Sequence, residues 1–144
     1  MLKKFFILTI PFENFIIHKV LQYLSVNEQV MVKRVDQQLR VTRIMIDSHN
    51  LRSVAAQHRR LSRYMFNYLS MMMTISSVFL IIDGSPEALG KKTELWEYLR
   101  TVDSGIYHKM KYRSISAVGN FPGYQGRKLS VRLYRLARRI YKFN

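Results

Sequence analysis

The sequence predicts an all-α fold, a small bundle of about four to five helices around one central apolar helix. Three observations predict it. The stretch YMFNYLSMMMTISSVFLII, residues 64–82, has no formally charged residue although the 144-residue chain carries net charge +15. A helix that is apolar nearly all round lies either at the centre of a bundle or in lipid. The segments flanking it repeat apolar residues every three or four positions, the period of one helix face. Only three prolines and six glycines interrupt a composition that is 48% hydrophobic, so the chain has material for a core of ordinary size.

Residues 1–24 come first and are expected to form an N-terminal arm. The opening MLKKFFILTIPFENF has the look of a secretory signal, but its apolar run over residues 5–10 is short. Pro11, Glu13 and Asn14 follow it in place of a small-residue cleavage site. A short strand or extended arm is the expectation, with the helical domain over residues 25–144.

The first clear helix is expected over 28–48, EQVMVKRVDQQLRVTRIMIDS. Met31, Val35, Leu39, Thr42 and Ile46 share one side, while Lys33, Arg34, Asp36, Arg40 and Arg43 lie mostly on others. His49 and Asn50 end it, and Asn50 or Ser53 is suited to cap the next.

The second helix is expected from near Ser53 to Asp83, closed by Gly84 in the left-handed turn. A membrane span needs about 20 predominantly apolar residues. Here Asn67, Ser70, Thr74, Ser76 and Ser77 fall within the apolar stretch, and Arg59, Arg60 and Arg63 continue the helix upstream. Met71, Met72 and Met73 suit irregular core contacts. These features favour the centre of a bundle; a single span over 64–82 is the competing expectation.

Ser85-Pro86-Glu87 starts the third helix with a capping serine, a proline at the first helical position and an acid in the first turn. Leu89, Leu95, Trp96, Leu99 and Val102 form its stripe. Gly90 weakens the first turn, so order is expected from nearer Thr93. Asp103-Ser104-Gly105 breaks the helix, and a shorter one is expected over 106–118. Residues 119–126, GNFPGYQG, read as a hinge. They do not match G-x-x-x-x-G-K-[ST], although a helix start beside Arg127 and Lys128 suits a phosphate group.

The last helix, expected over 125–142, is strongly amphipathic. Leu129, Leu133, Leu136, Ala137 and Ile140 fall in one sector bordered by Tyr134 and Tyr141. Lys128, Arg132, Arg135, Arg138, Arg139 and Lys142 take the opposite arc. With Arg127, these cations are the candidate anion-binding residues, and Leu129, Leu133, Leu136 and Ile140 are the candidate apolar face. An interfacial membrane helix has this pattern, as does a bundle helix with a solvated face. The two combine if the leucines pack inward and the cations meet lipid head groups.

Charge points the same way. There are 24 Lys and Arg against 9 Asp and Glu, and no acid follows Asp103, so the field attracts polyanions. The absence of cysteine excludes disulfides, thiolate zinc sites and thiol nucleophiles. His18, His49, His58 and His108 lack metal-ligand spacing, so no metal and no cofactor are expected. Glu94 and Glu97 are expected to face solvent, and no Ser/His/Asp set or phosphate loop is evident; no catalytic residue is assigned. Tyr107, Tyr112, Phe121 and Tyr124 stand among cations where bases could stack, making a small basic nucleic-acid-binding protein the alternative. The first helix lacks the turn and recognition helix that a helix-turn-helix needs.

QYLSVNEQVMVKRVDQQLRVTRIMID, the apolar helix, the Gly-Ser-Pro break, GKKTELWEYLRTVDSGIYHKM and the basic tail GRKLSVRLYRLARRIYKFN follow in that order. This order resembles the C-terminal helical region of bacterial family 2 glycosyltransferases over roughly residues 25–144. Catalysis in that family depends on an upstream α/β domain whose Asp-x-Asp motif holds the divalent metal on the sugar nucleotide. Here Asp36, Asp47, Asp83 and Asp103 stand singly, so no catalytic residue carries over. The resemblance implies a transferase connection without transferase residues: a non-catalytic accessory module, or truncated remnant, of an enzyme of cell-surface polysaccharide or teichoic-acid synthesis. Its implied partners are an anionic membrane surface or the catalytic domain, and its implied location is cytoplasmic, peripheral at the inner membrane face.

Overall fold

The structure, a computed structural model, describes residues 28–48 and 51–142, apart from the side chains of Leu51, Arg52, Ala55, Ile140, Tyr141 and Lys142. The arm expected over 1–24 lies outside the described residues. Among those described, the chain forms α1 (Glu28–Lys33), α2 (Val35–Ser48), α3 (Leu51–Gln57), α4 (Arg59–Asp83), α5 (Pro86–Val102), α6 (Ser104–Arg113), a 3-10 helix (Ile115–Asn120) and α7 (Gly123–Lys142), with no strand. This is the expected all-α bundle. The higher helix count comes from bends within two long runs. At Arg34 the backbone N–H still donates to Val30 and Met31, each at 3.1 Å. At His58 (φ −140, ψ 83) it donates to Val54 at 2.7 Å. Ser53, a candidate cap, lies inside α3.

The hub is α4. From Leu69 to Ile81 every residue except Thr74 is buried. The predicted stripe of α2 covers it with Val35, Leu39, Thr42 and Ile46. Ala88, Leu95, Trp96 and Leu99 of α5 and Tyr107 and Met110 of α6 belong to the same buried core. Of the described helices only α4 is long and apolar enough to cross a bilayer, and its apolar part is the packed one. Arg59, Arg60 and Arg63, at its other end, are exposed.

The polar residues inside this stretch are the seams of the bundle. Thr42 and Ser76 hydroxyls meet at 3.1 Å, and Trp96 donates its indole N–H to Ser77 at 2.9 Å. Ser70 reaches Ser114 at 2.9 Å and Ser116 at 3.2 Å, and both of these donate to the Met110 carbonyl at 2.9 Å, near the end of α6. Each such bond contributes about 1 kcal/mol net, whereas a buried hydroxyl left unpaired costs about 1–3 kcal/mol.

The ends of α4 and α5 follow local chemistry. Gly84 takes φ 70 and its N–H donates to Leu80 at 3.1 Å. The Ser85 hydroxyl accepts from the Ala88 N–H at 3.1 Å, with Pro86 opening α5. The helix therefore begins at Pro86 rather than near Thr93: cap and proline offset the roughly 1 kcal/mol cost of Gly90. Val102, expected in the stripe, is 48% exposed at the last position of α5. Asp103 ends α5 and caps α6, its carboxylate accepting from Ile106 N–H at 3.0 Å, so Ser104 and Gly105 are helical. The helix expected over 106–118 stops at Arg113, and Ser114 opens the 3-10 helix. Residues 123–126, expected as hinge, form the first turn of α7.

Candidate functional site

Small residues set the rotation of α7. Ser130 is fully buried, with its hydroxyl within reach of the Val118 and Gly126 carbonyls. A Cβ at Gly126 would lie 2.7 Å from the Phe121 carbonyl carbon, so only glycine lets the chain double back so closely there. One turn past Ser130, Tyr134 sets its ring edge-on to Phe79 of α4, centroids 5.9 Å apart. Gly126, Ser130, Tyr134 and Ala137 therefore make the inward face.

The leucine ridge lies about a quarter turn away at 100° per residue. Leu129 and Leu136 are 45% and 46% exposed, and Leu133 is half-buried. Of the two arrangements the pattern allows, a leucine sector packed wholly inward is not the one seen at Leu129 and Leu136. The close approach permitted by Gly126 and Ser130, and the hydrogen bond made by Ser130, are unavailable to leucines. Ile140, the fourth member of that face, lies outside the described side chains.

The predicted cations divide three ways. Lys128, Arg132 and Arg139 are exposed beside the ridge without a carboxylate partner among the described residues, and the Lys128 ammonium lies 4.4 Å from the ring centroid of Tyr124, itself 61% exposed. Arg135 is also exposed, but it binds Glu28 at 2.7 Å; half-buried Arg138 holds the other oxygen of that carboxylate at 3.3 Å. Glu28 thus ties the start of α1 to α7. Arg127 is half-buried on the opposite flank from Leu129. Lys142 lies outside the described side chains.

The Tyr134 hydroxyl is buried without a hydrogen-bond partner among the described residues, and burial pushes its pKa above the ordinary phenol value. Sequence reasoning passed over Lys92, which is half-buried and donates to the Asn120 side-chain carbonyl at 3.3 Å. Burial holds its pKa below that of an ordinary lysine, and the charges of Lys111 and Arg127 push the same way. No periodicity marks it, since its neighbours come from distant segments.

The remaining candidates do not assemble into a site. Tyr107 is buried edge-on against Trp96 at 6.1 Å, so it has no face left for a base. Phe121 is half-buried, and Tyr112 and Tyr124 are exposed on different helices. Glu94 pairs with Arg43 at 3.7 Å, and Glu97 pairs with Arg100. No three His, Asp or Glu side chains converge among the described residues. Comparison with protein-family models, curated proteins and solved structures finds no match.

Proposed function

We propose that this chain is a non-catalytic helical module that docks on an anionic membrane surface through the outward side of α7. The observation that carries the reading is the pairing of bare leucines with cations that have no carboxylate partner among the described residues: Leu129 and Leu136 stand in water beside the Lys128, Arg132 and Arg139 side of the helix. Each cation near an anionic bilayer contributes about 1 kcal/mol. Burying the exposed half of each leucine contributes roughly 1 kcal/mol more. The helix is already folded against the bundle through Ser130 and Tyr134, so docking does not carry the ordering cost of a disordered peptide.

The resemblance of residues 25–144 to the C-terminal region of family 2 glycosyltransferases supplies the setting. In it the module serves at the cytoplasmic face of a bacterial inner membrane, with a separate catalytic domain as second partner. The acceptors there are lipid-linked or polymeric glycans of the cell surface.

Flotation with vesicles at near-physiological salt tests the docking. The chain is expected to float with phosphatidylglycerol-containing vesicles and to stay behind with pure phosphatidylcholine. Replacing Leu129 and Leu136 together by serine is expected to weaken flotation at least tenfold. Equal binding to both vesicle types, or none to either, overturns the reading. Tighter binding to an oligonucleotide than to the anionic vesicles would transfer it to nucleic acid.

A further inference from the structure

The first turns of α4 stand outside the core that its later turns form. Arg59, Arg60, Leu61, Arg63 and Tyr64 are all exposed, Leu61 by 47% and Tyr64 by 48%. The helical winding sets these five within one arc of about 200°, and half-buried Ser62 and Met65 on the other side. Arg59, Arg63 and Phe66 follow one another at helical spacing along one edge of that arc. The Lys109 ammonium, exposed on α6, lies 4.5 Å from the Phe66 ring centroid and sets a fourth cation at the end of the same edge. Arg60 and Tyr64 share the middle, and the Tyr64 ring is stacked with half-buried Tyr68, centroids 6.4 Å and planes 8° apart. The sequence has no acid between Asp47 and Asp83. None of the four cations has a carboxylate partner among the described residues.

Arginines three and four positions apart on a helix repel one another, so the bundle itself gains nothing from this grouping. We propose that the exposed start of α4, with Lys109 of α6, is a second lipid-contact surface that seats on the phosphates of an anionic bilayer. An interfacial position suits each residue type. Guanidinium forks take phosphate oxygens, tyrosine sits at head-group level, and leucine enters the acyl boundary. A strand of nucleic acid suits the patch less well: the helix side is convex, one face of Tyr64 is already turned to Tyr68, and Leu61 would stay in water. The surface lies apart from the leucine ridge, since Arg60 stands about 28 Å along α4 from Phe79, where α7 packs. Its partner is the one proposed for α7, and it depends on that reading, but it uses none of the α7 residues.

Two triple variants of the full chain, floated with phosphatidylglycerol vesicles at near-physiological salt, test the surface. Arg59→Gln, Arg60→Gln and Arg63→Gln together are expected to weaken binding at least tenfold, and to melt no lower than the parent because repulsion has been removed. Lys33→Gln, Arg34→Gln and Arg40→Gln remove as many exposed cations from the α1–α2 end and are expected to weaken binding less than about threefold, the effect of net charge alone. A fluorophore on Leu61→Cys is expected to be quenched by nitroxide-bearing phosphatidylcholine mixed into the vesicles. Equal losses in the two triple variants, or an unquenched label on a chain that has bound, overturn this surface and leave docking through α7 standing. A quenched label at 61 with water-like labels at 129 and 136 keeps this surface and removes the one on α7. No vesicle binding by the parent overturns both. A response of the label at 61 to a single-stranded oligonucleotide at lower concentration than to vesicles overturns the lipid assignment in favour of nucleic acid.

Discussion

α4 and α7 are the two longest helices described, and the fold uses them in opposite ways. The apolar residues of α4 run round its whole circumference, and Leu69 to Ile81, Thr74 apart, disappear into the core, Ser70, Ser76 and Ser77 among them. Those of α7 keep to one sector, yet Leu129 and Leu136 remain in water while Ser130 is fully buried. What decides burial in both is close approach with satisfied hydroxyls: Ser76 on Thr42, Ser77 under Trp96, Ser130 against the 3-10 helix. An apolar stripe says that a helix has a surface to hide, and tertiary contact decides what hides it. On α7 the bundle does not cover that surface fully.

The largest test of this contrast is truncation on each helix. Phe79→Ala is expected to cost about 3–5 kcal/mol in urea unfolding, because Phe79 is fully buried and carries the edge contact to Tyr134. Leu136→Ala is expected to cost under about 0.5 kcal/mol. A comparable cost at Leu136 would place the ridge in the core and end the contrast.

Next in size is Ser130→Leu, which would make the inner face of α7 as apolar as its pattern suggests. It is expected to destabilise by about 1–3 kcal/mol through overpacking; a gain in stability would mean that pattern alone sets the rotation of α7. Tyr134→Phe removes a buried hydroxyl that has no partner among the described residues, so it is expected to be neutral or stabilising by less than about 1 kcal/mol.

The smallest effect is a pH slope. Lys92 has its folded-state pKa depressed by burial, then by Lys111 and Arg127. The unfolded chain therefore holds that proton more tightly, and stability rises with pH from the depressed value up to the ordinary lysine value of about 10.4. The difference in unfolding free energy between the parent and Lys92→Met, followed from pH 7 to 10.5, is expected to move in the parent's favour. A flat difference would mean that Lys92 is well solvated.

What the sequence made legible had local signals. The α2 stripe, the Ser85-Pro86 start and the Gly84 stop each depend on residues a turn or less apart, and all are in place. Within α5, Gly90 suggests order only from nearer Thr93, but the Ser85 cap and Pro86 hold the first turn in spite of it. The bend at His58 carries no glycine or proline, and its hydrogen bonds continue, so nothing announced it. The rotation of α7 depends on Val118 and Phe79, and the contact of Lys92 is with Asn120, far from it in sequence. Such contacts have no signature in a window of sequence.

The absence of cysteine allows single labels to be placed cleanly, and this gives the most direct test of the docking face. Leu129→Cys, Leu136→Cys and Thr101→Cys variants, each carrying an environment-sensitive fluorophore, would be mixed with phosphatidylglycerol vesicles. The emission at 129 and 136 is expected to shift to the blue while that at 101, exposed on α5, stays unchanged. Water-like emission at 129 and 136 on a chain that has bound the vesicles, or an equal shift at 101, would contradict docking through α7.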